Sequence, residues 1–382
     1  MQRLKMWILS IVAMLTVGLS PVAVFAGVSP KRGEIRVKLQ AEVALKLAQM
    51  PQIQTAGVRT TGIEPLDRAA SKAKTISIRP MLPPSAKYDR QRAKYGLDRW
   101  FVVSFDESMS SEEVRRIYGA TAGVERSEVI TPMSLREGKG GFRKISAAAA
   151  AGSSQAMPFN DPLLPRQWHY QNFGDIPYSV RGADINLFEA WKTTTGSKDV
   201  LVAVIDGGVD YTHEDLAANM YVNTAELNGR AGFDDDGNGY VDDIYGYNFC
   251  TNEGKIYPHD HGTHVAGTVA AVNNNGIGVA GVAGGNGADG SSVKILSCQV
   301  FDPRSGTADG DFAAAIVYAC EKGATIAQCS WGWAAPGYYE QAVLDAIDYF
   351  TAEARSANMK GGLLFFAIGQ RRRDRRLLSR LL

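Results

Sequence analysis

The run VLVAVIDGGVDYTHEDL, Val200 to Leu216, decides the fold. Val200 to Ile205 are all apolar. A strand covered on both faces reads as such a continuous run, whereas a strand with one wet face alternates. Three more runs share that texture: VKILSCQVF from Val293 to Phe301, ATIAQCSWG from Ala324 to Gly332, and GLLFFAIG from Gly362 to Gly369. The stretches between them, HGTHVAGTVAAVNN, DFAAAIVYACEKG and YYEQAVLDAIDYFTAEARSAN, are helix-like. Strand alternating with helix predicts an α/β domain whose parallel sheet carries helices on both faces. Function in such sheets gathers outside the carboxyl ends of the strands, which directs attention to Asp206-Gly207-Gly208.

A second motif, HDHGTHVAGT from His259 to Thr268, completes a chemical pair. Gly262, Ala266 and Gly267 allow its helix to lie close to the sheet and hold His261 beside a strand end. A buried carboxylate bonded to one imidazole nitrogen fixes the tautomer and supports the proton that the other nitrogen accepts. An aspartate and a histidine so placed are half of a nucleophilic machine.

DGGVDYTHEDL around Asp206, HGTHVAG from His261 and SWG from Ser330 resemble the aspartate, histidine and substrate-strand motifs of the subtilisin-like serine peptidases, in that family's order. NDPLLPRQWHYQNFG, Asn160 to Gly174, resembles the approach to their peptidase domain. The resemblance implies an endopeptidase acting on polypeptides, with Asp206 as orienting carboxylate and His261 as general base and acid. It further implies that Ser330, Trp331 and Gly332 offer backbone bonds to an extended substrate. There are two departures. Gln370 stands where the family has the asparagine of its oxyanion hole, and no Gly-Thr-Ser nucleophile motif occurs, the nearest string being GTA at Gly306 to Ala308. Residues 156–370 are therefore expected to be an incomplete peptidase domain, inactive as given. The tail RRRDRRLLSRLL, 371–382, is expected to follow a truncation or frame shift, the other reading being a basic tail for membranes or nucleic acid.

Two metal readings arise. In FDDDGNGYVDD, Phe233 to Asp243, side-chain oxygens of Asp234, Asp236, Asn238 and Asp242 and the Tyr240 carbonyl fall in EF-hand order around Gly239, although Tyr245 takes the place of the closing glutamate. Clustered aspartates repel one another without a cation, so a structural Ca²⁺ is expected between Asp206 and His261. His259, His261 and His264 form H-x-H-x-x-H, a spacing that suits a zinc hydrolase. The metallo-β-lactamase pattern nevertheless has an Asp where Thr263 stands, and no histidine follows His264. A non-catalytic peptide- or calcium-binding protein is the third alternative.

The chain has 382 residues, 45% hydrophobic and 21% charged, which is enough to bury a sizeable core. Its 41 basic and 40 acidic residues leave a net charge of +1 and no overall field for nucleic acid. Residues 1–26, MQRLKMWILSIVAMLTVGLSPVAVFA, read as a signal peptide cleaved after Ala26, so the protein is expected to be secreted or held in the cell envelope, with no stable membrane insertion after cleavage. Residues 27–155 read as a separate α+β module: a strand at Trp100 to Phe105, a helix opened by the capping box of Ser110 and Glu113, and a strand at Val124 to Ile130. The low-complexity stretch Lys144 to Gln155 reads as a linker at its end. The resemblance implies that this module is a propeptide, a partner that assists folding and blocks the cleft. Cys250, Cys298, Cys320 and Cys329 lack any regular spacing, leaving one disulfide or none open.

Overall fold

The structure, a computed structural model, describes residues 33–49, 61–135, 156–175, 179–302, 310–333, 339–356 and 359–367. The signal sequence, the linker, the GTA string, Gln370 and the Arg/Leu tail lie outside the described residues.

The N-terminal module runs β1 (Glu34–Leu39), α1 (Ala41–Ala48), α2 (Glu64–Lys72), β2 (Thr75–Pro80), α3 (Asp89–Ala93), β3 (Trp100–Phe105), α4 (Ser111–Gly119) and β4 (Val124–Val129). Its antiparallel sheet has the order β2-β3-β1-β4, a split β-α-β arrangement. The alternation of EIRVKL turns Ile35, Val37 and Leu39 toward α1, α2 and α4, where Ala44, Leu47, Leu66, Ala69, Val114 and Tyr118 close a core of the module's own. Ser110 caps α4 by accepting from the Glu113 amide at 3.2 Å. The other face of the sheet does not meet water. Trp100 and Val102 join the main core of the rest of the chain, and Arg36 and Lys38 lie buried against it.

A short strand, β5 (Met133–Leu135), leads on, followed by α5 (Leu187–Ala190), β6 (Leu201–Gly207), α6 (Thr224–Leu227), β7 (Gly246–Asn248), α7 (Asp260–Ala270), β8 (Lys294–Phe301), α8 (Phe312–Glu321), β9 (Ile326–Cys329), β10 (Trp331–Trp333), α9 (Gln341–Glu353) and β11 (Leu363–Phe366). The larger sheet is parallel throughout, in the order β11-β9-β6-β8-β7. Successive residues of its central strand face opposite layers. Leu201, Ala203 and Ile205 pack with α8 and α9, while Val202 and Val204 pack with Ala266 and Ala270 of α7. The chain leaves β6 toward β8 and returns past it to β9, so β6 lies at the switch point of the topology, where a crevice forms at the strand ends.

Two of the four expected buried strands differ from the sequence reading. ATIAQCSWG is not one strand: β9 stays in the sheet, whereas β10 leaves it and pairs with β5. GLLFFAIG forms an edge rather than a buried strand, with Leu363 52% and Phe365 51% exposed. All four cysteines are free, and burial pushes the thiols of Cys298, Cys320 and Cys329 up. Among the described residues no helix is long and apolar enough to cross a membrane.

Candidate active site

The carboxyl end of β6 is shaped to receive a helix. A bulge follows Asp206, so that Asp206 faces Gln299 of β8 while Gly207 faces Phe301. Beyond it, the His259 amide donates to the Gly208 carbonyl at 2.7 Å and ties the start of α7 to the end of β6. A Cβ on Gly208 would fall 2.1 Å from the Tyr257 carbonyl oxygen, and one on Gly262 would fall 2.2 Å from that of Gly207. The backbones touch because these two positions have no side chain. Gly267, expected to serve the same contact, points into open space instead.

This approach brings His261 Nδ1 within 2.7 Å of Asp206 Oδ1. Asp206 is fully buried, and its Oδ1 also accepts from the Gly207 amide at 2.6 Å. The carboxylate thus has one fixed orientation, which sets the imidazole tautomer with the proton on Nδ1. His261 itself is half-buried at the first turn of α7, leaving Nε2 as the nitrogen for proton transfer.

The three histidines do not gather around a common point. His259 is the N-cap of α7, its Nδ1 accepting from the His261 amide at 3.0 Å; His261 turns to Asp206; His264 stands exposed one turn along. Among the described residues, the group of histidine, cysteine and acidic side chains whose ligand atoms converge is Glu226, Asp236 and Asp243. The zinc reading has no support in this arrangement.

Of Ser330, Trp331 and Gly332, Trp331 reaches the strand that carries Asp206. Trp331 is buried and donates from Nε1 to the Ile205 carbonyl at 2.7 Å, one residue before Asp206. Ser330 accepts from the Gln328 side chain at 3.0 Å. Along β10 an extended segment is already in place: β5 runs antiparallel to it, with Leu135 opposite Trp331, Ser134 opposite Gly332 and Met133 opposite Trp333. Met133 is 4% exposed and enters the main core, and Leu135 packs half-buried beside it.

The acidic loop is organised differently from the expected ligand order. Of the three aspartates expected as ligands, Asp234, Asp236 and Asp242, only Asp236 belongs to the converging cluster; Glu226 and Asp243 supply the rest. Asp234 accepts from the amides of Asn238 and Gly239, Asp242 accepts from that of Gly232, Asn238 donates to Asp243 at 2.9 Å, and the Tyr240 amide donates to Asn238 Oδ1. A cation of the chain itself reaches the cluster. Lys322 Nζ lies 2.8 Å from Asp236 Oδ2 and 3.2 Å from Asp243 Oδ2. Burial raises the pKa of Asp243 and of Glu226; burial works the same way on Asp236, but Lys322 outweighs it and holds that carboxyl low. One ammonium against three carboxylates leaves negative charge over, and hard oxygen donors suit Ca²⁺ or Mg²⁺. Asp243 lay inside the quoted FDDDGNGYVDD string, but Glu226 and Lys322 carry no local signal, since tertiary contact brings them there.

Residues 197–379 match the model of the subtilase family, peptidase S8. Over 195 residues the chain is 36% identical to subtilisin-like protease 1 of Plasmodium vivax, a match that takes in 50% of this chain and 28% of that one. Over 243 residues it is 29% identical to the thermophilic serine proteinase of Bacillus sp. (strain AK1), covering 60% of this chain and 51% of that one. The chain therefore spans between 28% and 51% of the length of these two relatives. Fervidolysin from Fervidobacterium pennivorans, described as a keratinolytic enzyme related to subtilisin, superposes with a TM-score of 0.54 over 92% of this chain and 41% of its own, at 19% identity. At that identity the likeness is one of fold, and it takes in the N-terminal module as well as the parallel sheet.

Proposed function

We propose, from the membership of residues 197–379 in the subtilase family, that this chain belongs to a secreted serine endopeptidase precursor, in which residues 27–155 are a propeptide and the region from 156 onward carries the acid–base half of the catalytic triad. The observation that carries the reading is β5 laid antiparallel on β10, whose Trp331 bonds to Ile205, the residue before Asp206. A polypeptide substrate added to the same edge would make main-chain bonds to Ser330, Trp331 and Gly332, and its alternate side chains would take the places of Met133 and Leu135. Substrates with apolar residues at those alternate positions fit the buried site of Met133 best. His261 then takes the proton of a nucleophilic hydroxyl on Nε2 and returns it to the leaving amine, while Asp206 stabilises the imidazolium.

The 382 residues hold no Gly-Thr-Ser nucleophile motif, so acyl-enzyme hydrolysis is not expected of them alone. The Glu226–Asp236–Asp243 cluster is the place where a structural Ca²⁺ would brace the loop between β6 and α7. Calcium would supply charge compensation there and take no part in the reaction.

The test uses a chain extended through a family nucleophile segment, labelled with a fluorophosphonate and assayed on casein. Met133→Asp places a charge in an apolar site at a cost of several kcal/mol, and each ~1.4 kcal/mol lost from docking frees the cleft about tenfold. Early hydrolysis should therefore rise in that variant, and His261→Ala should abolish it. Equal rates for the parent and Met133→Asp would overturn the strand reading. Labelling of the unextended chain would overturn the statement about its nucleophile.

A further inference from the structure

The contact between the N-terminal module and the parallel-sheet body has a second centre, built of charges. Arg36 of β1 and Glu340 at the N-cap of α9 are each only 2% exposed. Arg36 Nη1 pairs with Glu340 Oε2, and Arg36 Nη2 lies 3.1 Å from Asp311 Oδ1 at the N-cap of α8. Glu128 of β4 completes the cluster, accepting from the amides of Gln341 at 2.8 Å and Ala342 at 3.2 Å, so a residue of the module caps a helix of the body. Glu340 returns the contact by accepting from the Thr131 amide at 2.8 Å.

Three carboxylates thus share one buried guanidinium. The remaining charges facing the cluster are Arg126, its Nε 3.6 Å from Glu128; Arg79 of β2, which pairs with Glu34 and acts on Asp311; and the neighbouring pair Lys38–Asp345, 2.6 Å apart. Arg79 and Arg126 are each partly in solvent, 42% and 44% exposed, which weakens their screening of the cluster. With every carboxylate ionised, Glu128 of the module and Glu340 of the body, both buried, repel each other.

We propose that the Arg36–Asp311–Glu340–Glu128 cluster is a proton-binding latch that holds the module on the body in acid and loosens it toward neutral pH. The inference rests on the reading that the module covers β10, and adds what governs its release. Burial pushes Glu340 up to about 7 against the pull of Arg36, and it raises Glu128 as well. Burial opposes the shift of Asp311, but Arg36 outweighs it and keeps Asp311 ionised below its usual range. A glutamate released into water loses its proton near about 4.3. Between that value and about 7 the docked state binds more protons than the released state, so docking weakens as pH rises, by at most about tenfold per unit for one proton. Above this window the loss is complete, and below it the term is constant.

The experiment is hydrogen exchange on the full chain from pH 5 to 8, corrected for intrinsic amide rates and read at Thr131, Gln341 and Ala342 and at the β5–β10 ladder. The opening constant should rise up to about tenfold per unit to pH 7 and then level off. In Glu340→Gln the slope should fall to the part that Glu128 contributes, whatever the absolute protection, so a uniformly weaker variant still gives an answer. A flat profile in the parent chain, or an unchanged slope in Glu340→Gln, overturns the proposal. A ladder unprotected at every pH would refute the covering of β10 instead, and the three cluster amides would still report the latch.

Discussion

Gly262→Ala tests whether the Asp206–His261 pair depends on bare backbone contact between α7 and β6. The new Cβ would lie 2.2 Å from the Gly207 carbonyl oxygen, 2.8 Å from its carbon and 3.2 Å from the Gly208 oxygen. All three are main-chain atoms, so no flexible side chain can move aside. An ordinary carbon–oxygen contact is about 3.3 to 3.6 Å, and the helix must therefore retreat by roughly 1 Å. Overpacking of that kind costs about 1 to 3 kcal/mol, against a gain of roughly 0.5 to 1 kcal/mol from replacing glycine inside a helix. The cost wins, and the same retreat stretches the 2.7 Å bond between His261 and Asp206. Gly267→Ala is the control. It makes the same change in the same helix, at a position with nothing within 4 Å of the added Cβ, and should be neutral to about 1 kcal/mol stabilising. Urea unfolding of both variants gives the comparison through the midpoint at constant slope. A Gly262→Ala protein as stable as its parent would refute the close-approach reasoning. So would a Gly267→Ala protein that loses as much as Gly262→Ala.

Two other perturbations bear on the parts that surround the pair. Arg92 of α3 and Glu321 of α8 form a buried two-point contact at 2.7 and 2.8 Å, and Arg92→Met would leave Glu321 without its partner, at a cost of about 3 to 5 kcal/mol. Glu321 is already raised by burial, and losing Arg92 raises it further, so the variant should recover stability as pH falls from 7 to 5; urea midpoints that shift equally at both values would contradict this. Calcium at a hundred times its dissociation constant should stabilise the chain by about 2.7 kcal/mol. The thermal shift should disappear in Asp236→Asn/Asp243→Asn and persist in Asp234→Asn/Asp242→Asn; the opposite pattern would restore the EF-hand ligand order.

The parallel sheet was legible because its inner strands β6 and β8 are buried on both faces, and burial on both faces writes itself as an unbroken apolar run; the equally apolar run of β11 lies at an exposed edge. The Asp206 and His261 motifs were legible for a related reason: small residues that permit close approach leave a visible gap in side-chain size, although Gly267 shows that not every such gap is a contact. The module's first half was harder to read. EIRVKL alternates as a strand with one wet face would, yet Arg36 and Lys38 are buried, because the wet face is covered by another part of the chain. Nothing local distinguishes a charge that meets water from one that meets a carboxylate some 300 residues away, as Arg36 meets Glu340. The acidic loop failed in the same way. Spacing within FDDDGNGYVDD pointed to Asp234 and Asp242, whereas loop amides claim both carboxylates, and the converging cluster depends on Glu226.

The contacts that hold the module are unequal, and their inequality bears on how the cleft would open. The β5–β10 ladder spans three residues on each side, and a hydrogen bond contributes only about 0.5 to 1.5 kcal/mol net. It fixes register on the substrate edge more than it fixes the module. The Arg36 cluster, the Arg92–Glu321 contact, Lys38 on Asp345 and the Trp100 Nε1 bond to Asp345 at 2.9 Å all lie on β1, α3, β3 and β4, upstream of Met133. A cut in the chain beyond Leu135 would therefore leave every one of them intact. Scission alone leaves these contacts in place, so a second event that weakens one of them would favour release. Among these contacts, the Arg36 cluster has more carboxylates than cations and includes Glu340, which burial pushes up to about 7. A change of proton occupancy there weakens the hold without breaking a covalent bond, and it does so in the pH range that separates acidic from neutral surroundings.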